Sequence, residues 1–405
     1  MKILLFAYGC DPFGRSESLA AFRWLDILIK YYQVILITTT ANEKNIRAYY
    51  KEIPSNIEII GIEEKFNFRK YFLLRAIIYG YFVFSYKAFR LVKKREIDKQ
   101  IDIVFHKSPS SFRFFNFLFK INKPFIFGPT GGGLQVPKVL NSYFKKEPFI
   151  FRLRFLDKLI FSIPIYKNQF KKSYKILITL PYVRNILPKY IEQNKIIELF
   201  DTGINTNEFI NEKVKKDDKV VFLYVGIMRR YKGPELAIKA FLSMEAEKRE
   251  RSLLHMVGDG EELNYLKALV PINERKKIIF HGNVDFTLIK EFYNAADVFI
   301  FPSIKEASGN SLLEAMSFAL PIITVNNGGP KYMCPNNGSI KIEINTPEIM
   351  IENFKISMED LIINKEKRIK MGELNRQHCI EKYDWIIIEK NIKDFFDSIK
   401  NEIKS

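Results

Sequence analysis

Residues 301–329 read FPSIKEASGNSLLEAMSFALPIITVNNGG, and the rest of the chain is read outward from this stretch. The run leading into it, Asp297 to Pro302 (DVFIFP), is apolar, branched and aromatic until a proline stops it, which predicts the end of a buried strand. A loop with Ser308, Gly309 and Asn310 follows. From Ser311 the segment SLLEAMSFA holds good helix formers, with Asn310 or Ser311 as the expected cap. The chain thus turns from strand to helix at the kind of place where open α/β sheets bind ligands. The free amides and positive dipole end of such a helix favour an anionic group such as a phosphate. Glu306 in the loop and Glu314 on the helix are acceptors suited to the hydroxyls of a sugar and a ribose. LPIITV then makes a second short strand that runs into the glycine turn Asn327-Gly328-Gly329.

With 405 residues, 47% hydrophobic and 14% aromatic, the chain can build two or three domains with large cores and is not a disordered sequence. Cys10, Cys334 and Cys379 lie far apart with no CxxC pair, so neither a disulfide framework nor a zinc site is indicated, and a reducing compartment is expected. The N-terminal MKILLFAYGCDP has a short apolar run without a small-residue cleavage site. It reads as a first buried strand, not a signal peptide, and predicts a cytoplasmic protein. The net charge of +18 is uneven: residues 1–200 hold 34 basic against 15 acidic side chains (+19), and residues 201–405 hold 30 against 31 (−1). Such asymmetry predicts an anionic partner for the first half, either nucleic acid or an acidic membrane surface.

The pair Glu306 and Glu314, set in PS-x-x-E-x-x-G-x-x-LLEAM and followed by P-I-I-x-x-x-x-GG, resembles the paired-glutamate motif of retaining glycosyltransferases of family 4 (glycosyl transferases group 1). This resemblance implies the α/β GT-B architecture, two doubly wound Rossmann-like domains facing each other across a cleft. The opening strand, YGCDPFGRSES and a helix from Ser18 to Tyr31 resemble one branch of the family, which places Gly14, Ser16 and Glu17 on the acceptor side. In the same branch, FHKSPSSFRFF and PFIFGPTGGG correspond to runs that put His106 near the donor sugar or acceptor and Gly131, Gly132 and Gly133 around a sugar or phosphate. The signature G-R-L-x-x-x-K-G, whose arginine and lysine bind the donor diphosphate, reads Gly226-Ile227-Met228-Arg229-Arg230-Tyr231-Lys232-Gly233 here. Lys232 and Gly233 match, but Ile227 occupies the arginine position. An alkyl group cannot replace a guanidinium forked onto a diphosphate, so either Arg229 or Arg230 reaches in or donor affinity is reduced. By resemblance Gly258 lies on the nucleotide side and Asn283 by the base, with Ser308, Gly309, Asn310 and Ser311 also on the donor.

These matches divide the chain into an acceptor domain over 1–205, a donor domain over 218–382 and a last helix, 383–405, that crosses back to the first domain. The charged, core-free stretch between 201 and 218 is the expected linker. Two basic and aromatic segments, 69–94 and 143–172, stand out in the first half. Only 11 uncharged residues separate Arg75 from Lys87, too few to span a bilayer. At helical spacing Arg75, Lys87, Arg90, Lys93 and Lys94 share one side, opposite Leu74, Ile78, Tyr81 and Phe89. That pattern suits a helix lying on an anionic leaflet, or a helix packed on the sheet with a solvated basic face.

The implied reaction transfers a hexose from a nucleotide-diphosphate sugar to a hydroxyl with retention, in the synthesis of a cell-surface polysaccharide such as a capsule or lipopolysaccharide. Lys232 and the glycine loops would stabilise the leaving diphosphate, while Glu306 orients the sugar and Glu314 holds the ribose diol. No D-x-D sequence occurs, which disfavours the metal-dependent single-domain glycosyltransferases; neither a metal nor a cofactor beyond the sugar donor is expected. A glycosidase would also need two carboxylates but would leave Lys232 and the glycine loops without a purpose. A nucleotide-sugar epimerase of the same architecture, and a degenerate transferase that serves as a membrane-binding scaffold, stay open. Nucleic-acid binding has no recognition motif behind it.

Overall fold

The computed structural model describes residues 1–64, 73–144, 157–209 and 219–404. Runs of Ile, Leu, Val and Phe recur along the chain between amphipathic stretches. Each run becomes a short strand buried on both faces, as parallel sheets require. The chain divides into two compact units, one of Met1–Gly133, Phe155–Thr202 and Ile388–Ser405, the other of Leu134–Arg154 and Gly203–Ile387.

In the first unit the strands are β1 (Lys2–Ala7), β2 (Gln33–Thr39), β3 (Ile57–Ile62), β4 (Ile103–Ser108), β5 (Phe125–Thr130), β6 (Lys175–Ile178) and β7 (Ile196–Glu198). Among the described residues they pair in the order β3-β2-β1-β4-β5-β6-β7, every pair parallel. Helices α1 (Glu17–Tyr31), α2 (Thr40–Tyr50), α3 (Leu73–Lys94), α4 (Asp157–Ile160) and α5 (Pro164–Lys172) join them. Strand β5 runs three residues beyond the expected Phe127, because the Thr130 carbonyl still accepts from Thr179 N at 3.0 Å.

From Tyr81 onward α3 turns Tyr81, Phe84, Ala88 and Val92 inward, and Tyr81 and Phe84 pack on Phe6 with ring centroids 6.2 and 5.3 Å away. From Tyr81 on, its inward side is therefore core of the first unit, while Tyr86, Arg90, Lys93 and Lys94 face outward. Tyr81, on the apolar side of the expected membrane helix, is buried in the protein, while the side chains of Leu74, Arg75 and Ile78 lie outside the described residues. Residues 65–72 and 145–156 of the two basic segments lie outside the described residues, as do 210–218 of the expected linker.

The second unit has β8 (Val220–Val225), β9 (Ser252–Val257), β10 (Ile278–Gly282), β11 (Val298–Phe301), β12 (Ile322–Val325) and β13 (Ser339–Ile342) in the order β10-β9-β8-β11-β12-β13, again all parallel. Its helices are α6 (Pro234–Ser243), α7 (Ala246–Glu250), α8 (Leu263–Ala268), α9 (Phe286–Ala295), α10 (Asn310–Ser317), α11 (Gly328–Met333), α12 (Pro347–Ile363) and α13 (Lys365–Tyr383). The last helix, α14 (Trp385–Glu402), belongs from Ile388 to the first unit. There Ile388, Ile392, Phe396 and Ile399 are buried, Phe396 lies 5.2 Å from the Phe105 ring, and Glu389 accepts from Lys30 Nζ at 2.7 Å. Burial of four large apolar side chains is worth about 1.5–3 kcal/mol each.

Candidate active site

Strand order in the second sheet reverses between β8 and β11. Open sheets bind ligands beyond the carboxyl ends of such a pair. Two loops leave these ends, Gly226 to Gly233 after β8 and Pro302 to Gly309 after β11. They touch because residue 233 is glycine: its φ is 70°, and a Cβ there would sit 2.2 Å from the Pro302 carbonyl oxygen. The Tyr231 carbonyl accepts from Ile304 N at 2.9 Å. This contact brings Lys232 Nζ onto the Glu306 carboxylate as an ion pair, the side chains only 19% and 12% exposed. Ser303 Oγ lies 3.5 Å from the same carboxylate oxygen. Burial pushes the Glu306 acid above the usual carboxylate range, and Lys232 opposes the shift without cancelling it.

Glu314 sits one turn into α10, where Tyr293 OH donates to its Oε2 at 2.7 Å. Burial raises this acid too, against the pull of the tyrosine. The cap differs from the expectation: α10 starts at Asn310 with Gly309 at the N-cap position and no side-chain cap, so neither Asn310 nor Ser311 closes the first turn. Its leading amides have no side-chain partner from the cap, which keeps them available to an anion alongside Ser308 and Ser311. The double glycine is more than a turn. Gly328 has φ 56° and Gly329 N donates to the Glu306 carbonyl at 2.7 Å, while Asn327 Nδ2 donates to Ile304 O at 2.7 Å. Tyr293 and Ser303 have no motif that marks them in the sequence, and Asn327 reads there only as the start of the glycine turn. Each lies 3 to 23 residues from its partner, and no spacing pattern marks them.

The remaining donor-side glycines line up at the ends of β8, β9 and β10. Gly226 N donates to Val257 O at 3.0 Å and Gly258 N to Gly282 O at 2.8 Å. Gly258 has φ 130°, and a Cβ on it would lie 2.0 Å from the Gly226 carbonyl oxygen, so the turns stack with no room for a side chain. Asn283 follows, exposed, after Gly282 at φ 68°. The two arginines part company. Arg230 is a correction to the donor set: its guanidinium bonds Glu262 (Nε 2.8 Å, Nη2 2.7 Å) and Glu235 (Nη1 3.1 Å) between the rings of Tyr143 and Tyr265. With its forks filled it cannot also clamp a diphosphate. Arg229 points outward, near the exposed Glu261 at 3.7 Å, and Ile227 stands 49% exposed.

The first sheet has its own reversal between β1 and β4. There Glu17, the first residue of α1, accepts from Ser108 Oγ at 3.2 Å and from Ser110 N, which ties the two strand-end loops together. Ser16 precedes it at φ 50° with an exposed side chain, and Gly14 N donates to Asp11 O at 3.1 Å. After β5, Gly131 lies against Thr179. Gly132 (φ 82°) has open space where a Cβ would be and donates from N to Tyr182 OH at 3.1 Å, and Gly133 (φ 74°) is walled by Phe112 and Ile186. His106 corrects the expectation of substrate contact. It is fully buried between the rings of Phe6 and Phe127, Nε2 bonded to Pro109 O at 2.8 Å and Nδ1 to Asn116 Nδ2 at 3.0 Å. Since the amide donates to Nδ1, the proton resides on Nε2 and the ring is neutral. Burial holds its pKa down at about 4. Both nitrogens are spent on the fold.

Residues 205–378 match the family model for glycosyl transferases group 1. An uncharacterized glycosyltransferase of Methanocaldococcus jannaschii is 29% identical over 264 residues, 65% of this chain. The chain spans 66% of that relative's length and 34% of a second from the same organism, 32% identical over 134 residues. Among solved structures, Anabaena HepE in complex with UDP superposes with a TM-score of 0.63 at 12% identity, covering 98% of this chain and 100% of that one. WaaG, a glycosyltransferase involved in lipopolysaccharide biosynthesis, gives 0.60 at 17% identity over 96% and 98%. At these identities the likeness is one of fold, and that fold is GT-B. Residues 205–378, the part of the chain that carries the Lys232 and Glu306 loops, are thus similar in sequence to the glycosyl transferases group 1.

Proposed function

We propose that the chain is a retaining glycosyltransferase that moves a hexose from a nucleotide-diphosphate sugar to a hydroxyl of a glycan or lipid-linked acceptor in cell-surface polysaccharide synthesis. The observation that carries this reading is the Lys232–Glu306 ion pair at the β8/β11 reversal. A cation and a carboxylate held together with little exposure suit a ligand that is an anion at one end and a polyol at the other. The diphosphate takes Lys232 and the amides at the start of α10; the sugar hydroxyls take Glu306, and a ribose diol takes Glu314. As the anomeric carbon–oxygen bond to the diphosphate breaks, charge grows on that oxygen, where Lys232 stabilises it. The acceptor oxygen bonds to the same face of the carbon, and its proton passes to the departing phosphate, so no protein base is required. HepE was crystallised with UDP and WaaG acts in lipopolysaccharide synthesis, which supports a nucleotide-sugar donor and a surface glycan as acceptor class.

The place of work that fits best is the cytoplasmic side of the cell membrane. Among the described residues no helix is long and apolar enough to cross a membrane, and Arg90, Lys93 and Lys94 of α3 face outward. Ile227 favours one other reading, a binding protein whose donor site has decayed, because an exposed alkyl group stands where a diphosphate-binding arginine would be. The decisive measurement is binding and turnover of UDP-, GDP- and ADP-sugars in metal-free buffer, with Glu314→Ala in parallel. One donor bound and slowly hydrolysed or transferred by wild type, and lost in the variant, is the expected result. If none binds, the decayed-site reading takes its place.

A further inference from the structure

Between β5 and β6 the chain leaves the first unit at Gly133, and from Leu134 it is part of the second. Leu140 and Phe144, 0% and 3% exposed, sit in the same core cluster as Met228 and Leu236, the residues that frame the β8 loop. Tyr143 covers one face of the Arg230 guanidinium with its ring centroid 5.1 Å away, and its carbonyl accepts from Arg230 Nη1 at 3.5 Å. Arg230 opens the tight turn that ends at Lys232, and Gly233 N closes it on the Arg230 carbonyl at 2.9 Å. At the other end of the same segment, Leu134 Cδ1 lies 2.6 Å from where a Cβ on Gly328 would be, and the next residue, Gly329, holds the Glu306 carbonyl. One stretch of chain thus presses on the turn that carries Lys232 and on the glycine turn that holds the Glu306 loop.

We propose that the segment from Leu134 to Phe144 is a strap that sets the separation of Lys232 and Glu306, with Tyr143 and Leu134 as positioning residues for the nucleoside-diphosphate part of the donor. The proposal rests on the donor-site reading given above. Packing alone does not explain how the segment is built. A strap needed only to cover the core would be satisfied by Leu140 and Phe144. Instead, Tyr143 completes an aromatic sandwich on an arginine with three carboxylate bonds, which locks the turn that Lys232 ends. The Tyr143 hydroxyl is buried without a hydrogen-bond partner among the described residues, where the ring and the backbone carbonyl make the contacts to Arg230. Neither Tyr143 nor Leu134 belongs to a sequence motif of the site. Their effect on it passes entirely through Arg230 and Gly328.

The test compares wild type, Tyr143→Phe, Tyr143→Ser and Leu134→Ala, using as probe whichever of UDP, GDP and ADP wild type binds. Dissociation constants come from calorimetry well below the melting temperature, and circular dichroism and Tm report folding. Tyr143→Phe should bind like wild type, while Tyr143→Ser and Leu134→Ala should each weaken binding about tenfold although folded, since misplaced binding groups are felt strongly. Folded variants that melt earlier yet bind within about twofold of wild type would show a strap that only packs, and overturn the proposal. Should Tyr143→Ser fail to fold, Leu134→Ala, which removes a half-buried side chain, decides by the same criterion. Wild type that binds none of the three nucleotides overturns the donor-site reading itself, and the strap with it.

Discussion

Ile227 departs from the glycosyltransferase signature that Lys232 and Gly233 match, and its surroundings make the departure testable. The side chain is 49% exposed after β8, so an arginine can be placed there without disturbing the core. Ile227→Arg should tighten nucleoside-diphosphate binding about tenfold or more, because hydrogen bonds to charged groups are worth about 1.5–3 kcal/mol. Unchanged affinity by calorimetry would mean that the diphosphate does not pass this position. Glu314 allows a different experiment. Its folded pKa is raised by burial, so its contribution to stability is full below the ordinary carboxylate value and is lost as pH rises through the folded value. Glu314→Gln keeps an acceptor for Tyr293 and cannot ionise. Its Tm should exceed that of wild type at neutral pH, and the gap should close on acidification; parallel Tm curves would refute the assignment. His106 titrates with the opposite sign. Held at about 4 against an ordinary 6.5, it supports the fold above that upper value, and on the order of 3 kcal/mol is lost as pH falls to the lower one. His106→Gln should blunt this acid sensitivity and leave donor turnover within about threefold of wild type, since the ring is fully buried between Phe6 and Phe127 with both nitrogens bonded within the fold. The sequence placed His106 at a strand end beside a resemblance, and neither could reveal two aromatic walls and two filled nitrogens.

At the scale of elements, the glycine turns do the work that side chains cannot. Gly258→Ala puts a methyl 2.0 Å from the Gly226 carbonyl oxygen, at a φ of 130° that alanine rarely adopts. About 1–3 kcal/mol of backbone strain should lower Tm and weaken nucleotide binding together, because the β8 and β9 turns move as one. If binding survives while Tm falls, those turns are scaffold only. The alternation of apolar runs and amphipathic helices was legible from the start, as was the strand-to-helix turn that holds Glu306 and Glu314. Less legible were the limits of elements set by partners. Strand β5 continues to Thr130 because Thr179, just past β6, supplies a donor, and α10 begins at Asn310 without a side-chain cap. The arc of cations on α3 was visible by periodicity, but whether its aromatic side meets lipid or core depended on Phe6, a residue of another strand.

Considered as a whole molecule, the chain returns at its end to where it began. Helix α14 supplies Ile388, Ile392, Phe396 and Ile399 to the first unit, so a chain ending at 387 should leave that unit destabilised by several kcal/mol while the second unit stays folded. Limited proteolysis would then cut preferentially within residues 1–133 and 155–202; uniform resistance would contradict the assignment. The charge distribution makes a second demand at this scale. With +19 on residues 1–200, binding to anionic vesicles should fall steeply with salt and be absent on zwitterionic ones, whereas duplex DNA should not compete. The alternation of strands and helices and the charge asymmetry were determined by sequence alone, since periodicity, glycine placement and local spacing are properties of neighbours along the chain, and the motif around Glu306 and Glu314 carried the resemblance that implied the fold class. Tertiary structure alone decided that Arg230 is spent on Glu235 and Glu262, that His106 is core, and that a segment following β5 braces loops after β8 and β12. Those outcomes depend on which groups meet after distant stretches pack, and a hydrogen bond or an ion pair leaves no mark on the spacing of residues that are brought together only by folding.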